Sequence, residues 1–275
     1  MGKTSDSRWC GSAFRTTALF LILAGLIAGC TATRPLTPRA APAVLPSAAE
    51  LEAALAARRD AVRSVRALAR LRYHDSEQSV TSREAIVVAR PDRVRVEVLS
   101  VFGTVFLLVA DDGQMTAYAR NENTVYRGQA SSQNLQRYVH LGVPVDELVD
   151  IVLSTPPPGD GRAQVSFDEA AGAIRLRRFV EDGARTVWFS DATLPVATEE
   201  AGADGAAHWR ATFAEYEDHG GVPVATRIEI NLPAWSQSME IDLQDVEVNP
   251  TLDHSAFAFQ APSGSKVVEL RPLAD

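Results

Sequence analysis

The sequence is poor in cysteine, in positive charge and in long apolar runs. Each of these scarcities excludes a class of structure or of binding partner. Only 2 of its 275 residues are cysteine, so at most one disulfide can form within the chain. The 27 lysines and arginines are outnumbered by 35 acidic residues, giving a formal charge of −8. Because nucleic-acid binding depends on cations that face phosphates, this balance argues against a nucleic-acid partner.

The sequence also lacks the patterns that mark catalytic or metal sites. Its five histidines are scattered, with no i,i+4 pair and no nearby cysteine to complete a zinc site. There is no phosphate loop and no Gly-x-Ser-x-Gly pattern. Ser263–Lys266 fits Ser-x-x-Lys, but such a serine must open a helix and needs further motifs that the sequence lacks, so a strand-connecting turn at Gly264 explains the pattern. We therefore predict no enzyme, no metal and no cofactor, and a hydrolase is only a remote alternative.

The N-terminal segment carries too short an apolar run for a membrane span. Ala18 to Ala28 gives eleven residues, whereas a spanning helix needs roughly 20. The run follows Lys3, Arg8 and Arg15 and ends in small residues. A basic region, a short apolar region and small residues at a cleavage point predict a secretory signal peptide over residues 1–29.

The end of this signal, Ile27-Ala28-Gly29-Cys30, resembles the lipobox of bacterial lipoproteins. The resemblance implies cleavage between Gly29 and Cys30, and attachment of acyl chains to Cys30, which anchors the protein to a membrane. Thr31 stands where an aspartate retains some lipoproteins in the inner membrane, so the outer membrane is favoured. With Cys10 removed and Cys30 acylated, no cysteine remains for a disulfide. An ordinary signal peptide with a chance cysteine is the alternative.

After the anchor, residues 30–46 hold four prolines, which predict an extended, semi-rigid tether. A folded domain is predicted over residues 47–275. Ser47 and Glu50 form a capping-box pattern, so a helix is expected over 47–64. A second helix is expected over 144–154, after Pro144, and a short helical turn capped by Ser132 lies before it.

Most of the remaining chain alternates apolar and polar residues between turn signals. The pattern predicts roughly ten or eleven strands, with a loop at Glu199–Ala207 and a closing strand or two at Phe257–Phe259 and Lys266–Leu270. The expected fold class is α+β: a curved antiparallel sheet, or half-open β-barrel, with N-terminal and mid-chain helices as lids.

The order of these parts resembles the LolA/LolB superfamily of outer-membrane lipoprotein carriers and receptors. The likeness lies in a strand break at Ser100-Val101-Phe102-Gly103, an Asp-Gly hairpin, and Leu141-Gly142-Val143-Pro144 leading a short helix. The closing segment Asn249–Asp253 agrees as well. The resemblance implies a monomeric half-barrel that accepts acyl chains of a lipid or lipoprotein and faces the periplasm, with a periplasmic carrier as a partner.

Two candidate sites follow from this resemblance. Val101 and Phe102 form a loop that is expected to contact membrane or cargo, although Phe102 could instead tuck under the sheet. The walls of an acyl-chain cavity are expected among inward-facing apolar residues, although alternating apolar residues in a sheet are usually plain core. These are Val96, Val98, Phe106, Leu108, Tyr118, Tyr126, Leu148, Ile151, Val152, Trp188 and Trp209.

The sequence thus predicts an outer-membrane-anchored lipoprotein that binds acyl chains in an apolar cavity and hands them on without catalysis. A fully packed envelope-assembly or scaffolding lipoprotein that acts through protein contacts is the alternative.

Overall fold

The computed structural model describes residues 41–159, 161–190 and 193–270. The predicted signal peptide, Gly29, Cys30 and most of the tether lie outside the described residues. Within the described part of the chain, none of the helices has the length and apolarity needed to cross a bilayer.

Three α-helices lie within the described residues, and the sequence explains where each begins. Helix α1 (Ala48–Ala61) starts with the predicted capping box, in which the Glu50 amide donates to Ser47 Oγ and the Ser47 amide donates to the Glu50 carboxylate. Helix α2 (Ser132–Val139) is capped one residue earlier than expected, by Ser131. Helix α3 (Val145–Val152) follows Pro144, with two acidic side chains in its first turn.

In the part of the chain that the structure describes, fourteen strands form one open sheet, ordered β14-β6-β5-β4-β3-β2-β1-β13-β12-β11-β10-β9-β8-β7. All neighbours are antiparallel except β14 and β6, which are parallel. Two meanders, β1 to β6 and β7 to β13, are therefore joined where β1 pairs with β13. The strands are β1 (Ser64–His74), β2 (Ser79–Ala89), β3 (Arg93–Ser100), β4 (Gly103–Asp111), β5 (Gln114–Ala119), β6 (Thr124–Gln129), β7 (Ala163–Asp168), β8 (Ala173–Val180), β9 (Gly183–Phe189), β10 (Pro195–Gly202), β11 (Ala207–Asp218), β12 (Pro223–Leu232), β13 (Gln237–Val248) and β14 (Lys266–Glu269).

The α+β class and the mostly antiparallel sheet are confirmed, but the predicted strand count was too low. Glu199 and Glu200, expected in a loop, lie in β10, where Glu199 pairs with Arg210 and Glu200 with Arg185. Partner arginines on neighbouring strands make acidic residues compatible with a strand. At the other end, the expected strand at Phe257–Phe259 was wrong, because Asp253 caps a 3₁₀ turn over His254–Phe257.

The apolar core divides into clusters on both faces of the sheet. The largest lies between α2, α3 and the face of the sheet that they cover, here called the inner face. Helix α1 instead packs its Leu51 and Leu55 on Leu176 and Phe189 of β8 and β9. The expectation of α1 as a lid over the main cavity was therefore wrong, because its apolar stripe is fully used on the last strands of the sheet.

Candidate functional site

A cavity of about 270 Å³ lies between the inner face of the sheet and helices α2 and α3. Its floor comes from alternate residues of β1 to β4 and β13, since every second side chain of a strand points to the same face. Its cover comes from α2, α3 and the residues that follow α2. The lining includes Ala69, Leu71, Tyr73, Gln78, Val80, Glu84, Ile86, Val88, Val94, Val96, Val98, Phe106, Leu108, Leu135, Tyr138, His140, Leu141, Leu148, Val152, Met239 and Ile241.

The structure brings six of the predicted wall residues together around this cavity. They are Val96, Val98, Phe106, Leu108, Leu148 and Val152. Val96, Val98 and Phe106 face inward yet remain only half-buried, unlike the fully packed Leu108. The helix face above them is therefore not packed tightly onto this part of the floor.

The other five predicted wall residues lie outside the cavity. Ile151 and Trp209 are buried in the core on a different side of α3, and Tyr126 packs against the ring of Tyr138. Tyr118 is on the opposite face of the sheet, against Phe259. Trp188 is on the face of β9 away from α1, where it stacks under Arg210. Aromatic content alone therefore could not identify the wall.

Helix α3 is held in place by arginines from other elements. Asp150 accepts a salt bridge from Arg59 of α1 at 2.6 Å and another from Arg90 at the end of β2. One turn earlier, Glu147 pairs with Arg185 of β9 at 2.5 Å, and the same guanidinium also contacts Glu200. The Asp150 contacts are mostly buried, and removing one partner of a buried ion pair costs about 3–5 kcal/mol. Helix α3 is therefore a fixed part of the cover.

Arg185 contacts both Glu147 and Glu200, but the pKa values of these two carboxyl groups shift in opposite directions. Burial raises the pKa of Glu147 to about 7, with Arg185 opposing the rise and Glu200 adding to it. Burial also acts to raise the pKa of Glu200, but the hydrogen bonds with Arg185 and Glu147 and the charge of Arg185 together outweigh it, so the pKa of Glu200 is lowered. Glu147 is therefore the carboxyl on α3 that changes protonation near neutral pH.

Helix α2 is held by weaker contacts. Asn134 donates to the Gln129 carbonyl, and Gln136 donates to the Gln237 side chain at 3.2 Å. The rings of His140 and Tyr73 lie 5.2 Å apart. Across the described residues, no ion pair joins α2 to the sheet. Since neutral hydrogen bonds contribute only about 0.5–1.5 kcal/mol each, α2 is the more easily displaced part of the cover.

A carboxyl side chain, that of Glu84, lines the mainly apolar floor, and the sequence analysis did not identify it. It lies on β2 between Ala69 of β1 and Val98 of β3, which both line the cavity as well. Its side chain accepts a hydrogen bond from Ser82 at 2.8 Å. Burial raises the pKa of Glu84, and the bond from Ser82 only partly offsets this. Its inward position follows from the alternation of β2, in which Glu84, Ile86 and Val88 share a face.

The loop between β3 and β4 places two apolar side chains in solvent. Val101 is 93% exposed and Phe102 is 83% exposed, so the alternative in which Phe102 tucks under the sheet was wrong. The backbone of the loop is held, since Arg120 donates to the Phe102 carbonyl at 2.7 Å and Ser100 Oγ donates to the Gly103 carbonyl. Neighbouring apolar side chains on a fixed loop are typical of an interaction site.

No three of the described histidine, cysteine, aspartate and glutamate side chains approach closely enough to hold a metal ion.

Comparisons with known proteins agree with this architecture. A domain assigned to outer membrane lipoprotein sorting, from Vibrio parahaemolyticus, is 18% identical, with a TM-score of 0.54 over 77% of this chain and 97% of that chain. A LolA superfamily protein from Nitrosomonas europaea is 14% identical, with a TM-score of 0.52 over 78% of this chain and 99% of that chain. At such identities the likeness shows the fold alone. Among curated protein sequences, none matches this chain.

The family itself is shown by a sequence model. The model described as outer membrane lipoprotein LolB matches residues 66–244, from β1 into β13. The matched region includes the cavity, both covering helices and the exposed loop. Because this match covers more than half of the chain, the protein belongs to the LolB family of outer membrane lipoproteins, which are receptors in lipoprotein sorting and not enzymes.

Proposed function

We propose that this protein receives the acyl chains of a lipoprotein in the cavity under α2 and α3 and passes them to the outer membrane. A periplasmic carrier of the LolA type delivers the cargo, and acylated Cys30 holds the receptor at the membrane. The observation that supports this proposal is the cavity of about 270 Å³ with a mainly aliphatic wall. Each CH₂ group that enters such a wall contributes about 0.8 kcal/mol.

The unequal attachment of the two covering helices suggests how the chains enter. Helix α2 moves away from the floor, and acyl chains replace the contacts of Leu135 and Tyr138, so little apolar surface is exposed to water. Helix α3 stays in place on its arginine contacts. Release takes place at the membrane, which buries the chains equally well.

The exposed loop is the part of the receptor that meets the membrane during release. It directly follows β3, whose Val96 and Val98 line the cavity, so Val101 and Phe102 stand at the end of a cavity wall. Inserting these two side chains into the bilayer buries apolar surface that water otherwise contacts.

Native mass spectrometry with lipid extraction tests the proposal on the full chain purified gently from cells. The wild-type chain is expected to retain acyl lipid or lipopeptide. Val96→Trp fills the cavity from β3 and is expected to abolish that retention. Val105→Trp places the same bulk on β4 at a residue that is 39% exposed, and should leave retention unchanged.

The absence of acyl-chain binding would contradict the proposed function. A wild-type chain that carries no lipid and binds no uncharged fluorescent acyl-chain probe would overturn the proposal. The scaffolding function, in which the protein acts through contacts with other proteins, would then take its place.

A further inference from the structure

Glu84 is unusual among the buried acidic residues of this protein because it has no cationic partner. Glu147, Asp150 and Glu200 each contact at least one arginine. Glu84 is only 7% exposed, yet across the described residues no lysine, arginine or histidine forms a salt bridge with it. Its one hydrogen-bonding partner is the hydroxyl of Ser82, which is the donor.

A carboxyl in this position has no structural advantage over an apolar residue. It faces the cavity between Ala69 and Val98, where an aliphatic side chain would continue the wall. Burial without a cation disfavours its ionised form, so the group weakens the folded protein when the cavity is empty. Groups that cost stability in this way are typical of functional sites.

The position of Glu84 relative to the ends of the cavity indicates what it meets. Its cross-strand neighbour Val98 lies two residues before Ser100, where the exposed loop begins, while Val88 and Val94 lie at the far end of the same strand pair. Ser82 of β2 and Gln78, which precedes β2 and lines the cavity, lie on the same side of Glu84 as this loop. The cavity wall is therefore aliphatic from Val88 and Val94 up to Glu84, and it includes polar groups from Glu84 toward the exposed loop.

We propose that Glu84 is a specificity-determining residue that accepts a hydrogen bond from the polar end of the bound amphiphile. The preferred ligand carries an N–H donor, as an amide or an ammonium, next to its acyl or alkyl chain. The acyl or alkyl chain of the ligand occupies the aliphatic part of the cavity. The N–H group of the ligand donates to Glu84, which has no cationic partner among the described residues. Amphiphiles with an anionic end are rejected, because two carboxylates would face each other in a poorly solvated site. This inference rests on the proposed acyl-chain binding.

Three probes with the same C12 chain test the selectivity: dodecylammonium, lauramide and laurate. Each displaces a fluorescent, uncharged N-alkyl amide probe from the mature chain, residues 30–275, carrying Cys30→Ser, so that neither an acyl group of its own nor the signal peptide competes for the cavity. The chain with Glu84 intact is expected to bind the two N–H probes about tenfold more tightly than laurate. Glu84→Leu should bind all three within about threefold, mainly by gaining affinity for laurate. Glu84→Gln keeps an acceptor oxygen and should lose the preference for ammonium while retaining that for the amide.

A matched substitution and a folding check accompany these variants. Glu229→Gln makes the same chemical change on an exposed residue of β12 and should leave all three affinities unchanged. Thermal unfolding verifies that each variant is folded, and Glu84→Gln, nearly identical in volume, remains informative if Glu84→Leu does not fold.

The outcomes separate this inference from the function on which it rests. If the chain with Glu84 intact binds all three probes equally, and Glu84→Leu does the same, Glu84 selects nothing while acyl-chain binding stands. If none of the probes binds any of these proteins, the proposed function itself fails. If laurate binds most tightly when Glu84 is present, the sign of the selectivity is wrong and the inference is overturned.

Discussion

At the scale of single residues, the protonation of Glu147 links the stability of the protein to pH. Its pKa of about 7 in the folded protein lies above the ordinary value of 4.5. Between these values the folded state holds a proton that the unfolded state releases, so the contribution of this group to the unfolding free energy falls as pH rises from about 4.5 to 7. For an acid whose pKa is lowered by a salt bridge, the contribution to the unfolding free energy would instead increase as pH rises.

We expect Glu147→Gln, which mimics the protonated side chain, to remove this contribution. The variant should match the wild type near pH 5 and exceed its unfolding free energy near pH 8 by about 2 kcal/mol, since each pKa unit corresponds to about 1.4 kcal/mol. Urea unfolding at the two pH values measures the difference. A variant that is less stable than the wild type at pH 8 would show that the ionised Glu147–Arg185 pair is net stabilising.

At the scale of elements, the two covering helices have the same length but different attachments. Helix α3 is tied by Asp150 to Arg59 and Arg90, and by Glu147 to Arg185. Helix α2 depends on Asn134, on Gln136 and on ring contacts. Local opening follows the weakest contacts in a structure, so the two helices should open independently.

Hydrogen exchange measures this difference directly. The amides of α2 should exchange at least about tenfold faster than those of α3, which corresponds to about 1.4 kcal/mol in opening free energy. Asp150→Asn should raise exchange in α3 and leave α2 unchanged. Equal rates for both helices in the wild type would mean that the cover opens as one unit and that the arginine contacts do not fix α3.

At the scale of the whole molecule, the exposed loop is expected to bring the receptor to a bilayer. In the mature chain, residues 30–275, carrying Cys30→Ser and therefore without signal peptide or acyl group, the double substitution Val101→Ser and Phe102→Ser should reduce binding to neutral phosphatidylcholine vesicles by at least about tenfold. The reason is that burying one valine or phenylalanine side chain contributes about 1.5–3 kcal/mol. Vesicle co-sedimentation measures the binding.

The chain offers a matched comparison for this experiment. Phe179 and Val180 form a second exposed apolar pair, 40% and 52% exposed, where β8 turns into β9. Replacing both with serine removes the same side chains from a different hairpin. If that change weakens vesicle binding as much as the change in the Val101–Phe102 loop, membrane contact is not specific to the loop.

Much of the architecture was predictable because it depends on local pattern. The Ser47–Glu50 capping box predicts the start of α1, and Pro144 predicts the start of α3. The alternation in β2 and β8 predicts both strands over the observed bounds, Ser79–Ala89 and Ala173–Val180. The family resemblance, later shown by the match over residues 66–244, also depends on the order of such local elements.

What the sequence by itself determined is therefore where all three described α-helices and most of the strands form, and which side chains of a strand share a face. Only the tertiary structure decided which face is covered, and by what. It packs α1 on β8 and β9, places Tyr118 on the outer face, and exposes Phe102. It also supplies Arg185 to Glu147 and leaves Glu84 without a cation. The physical reason is that periodicity is a property of neighbouring residues, whereas burial and charge compensation depend on residues far apart in the chain.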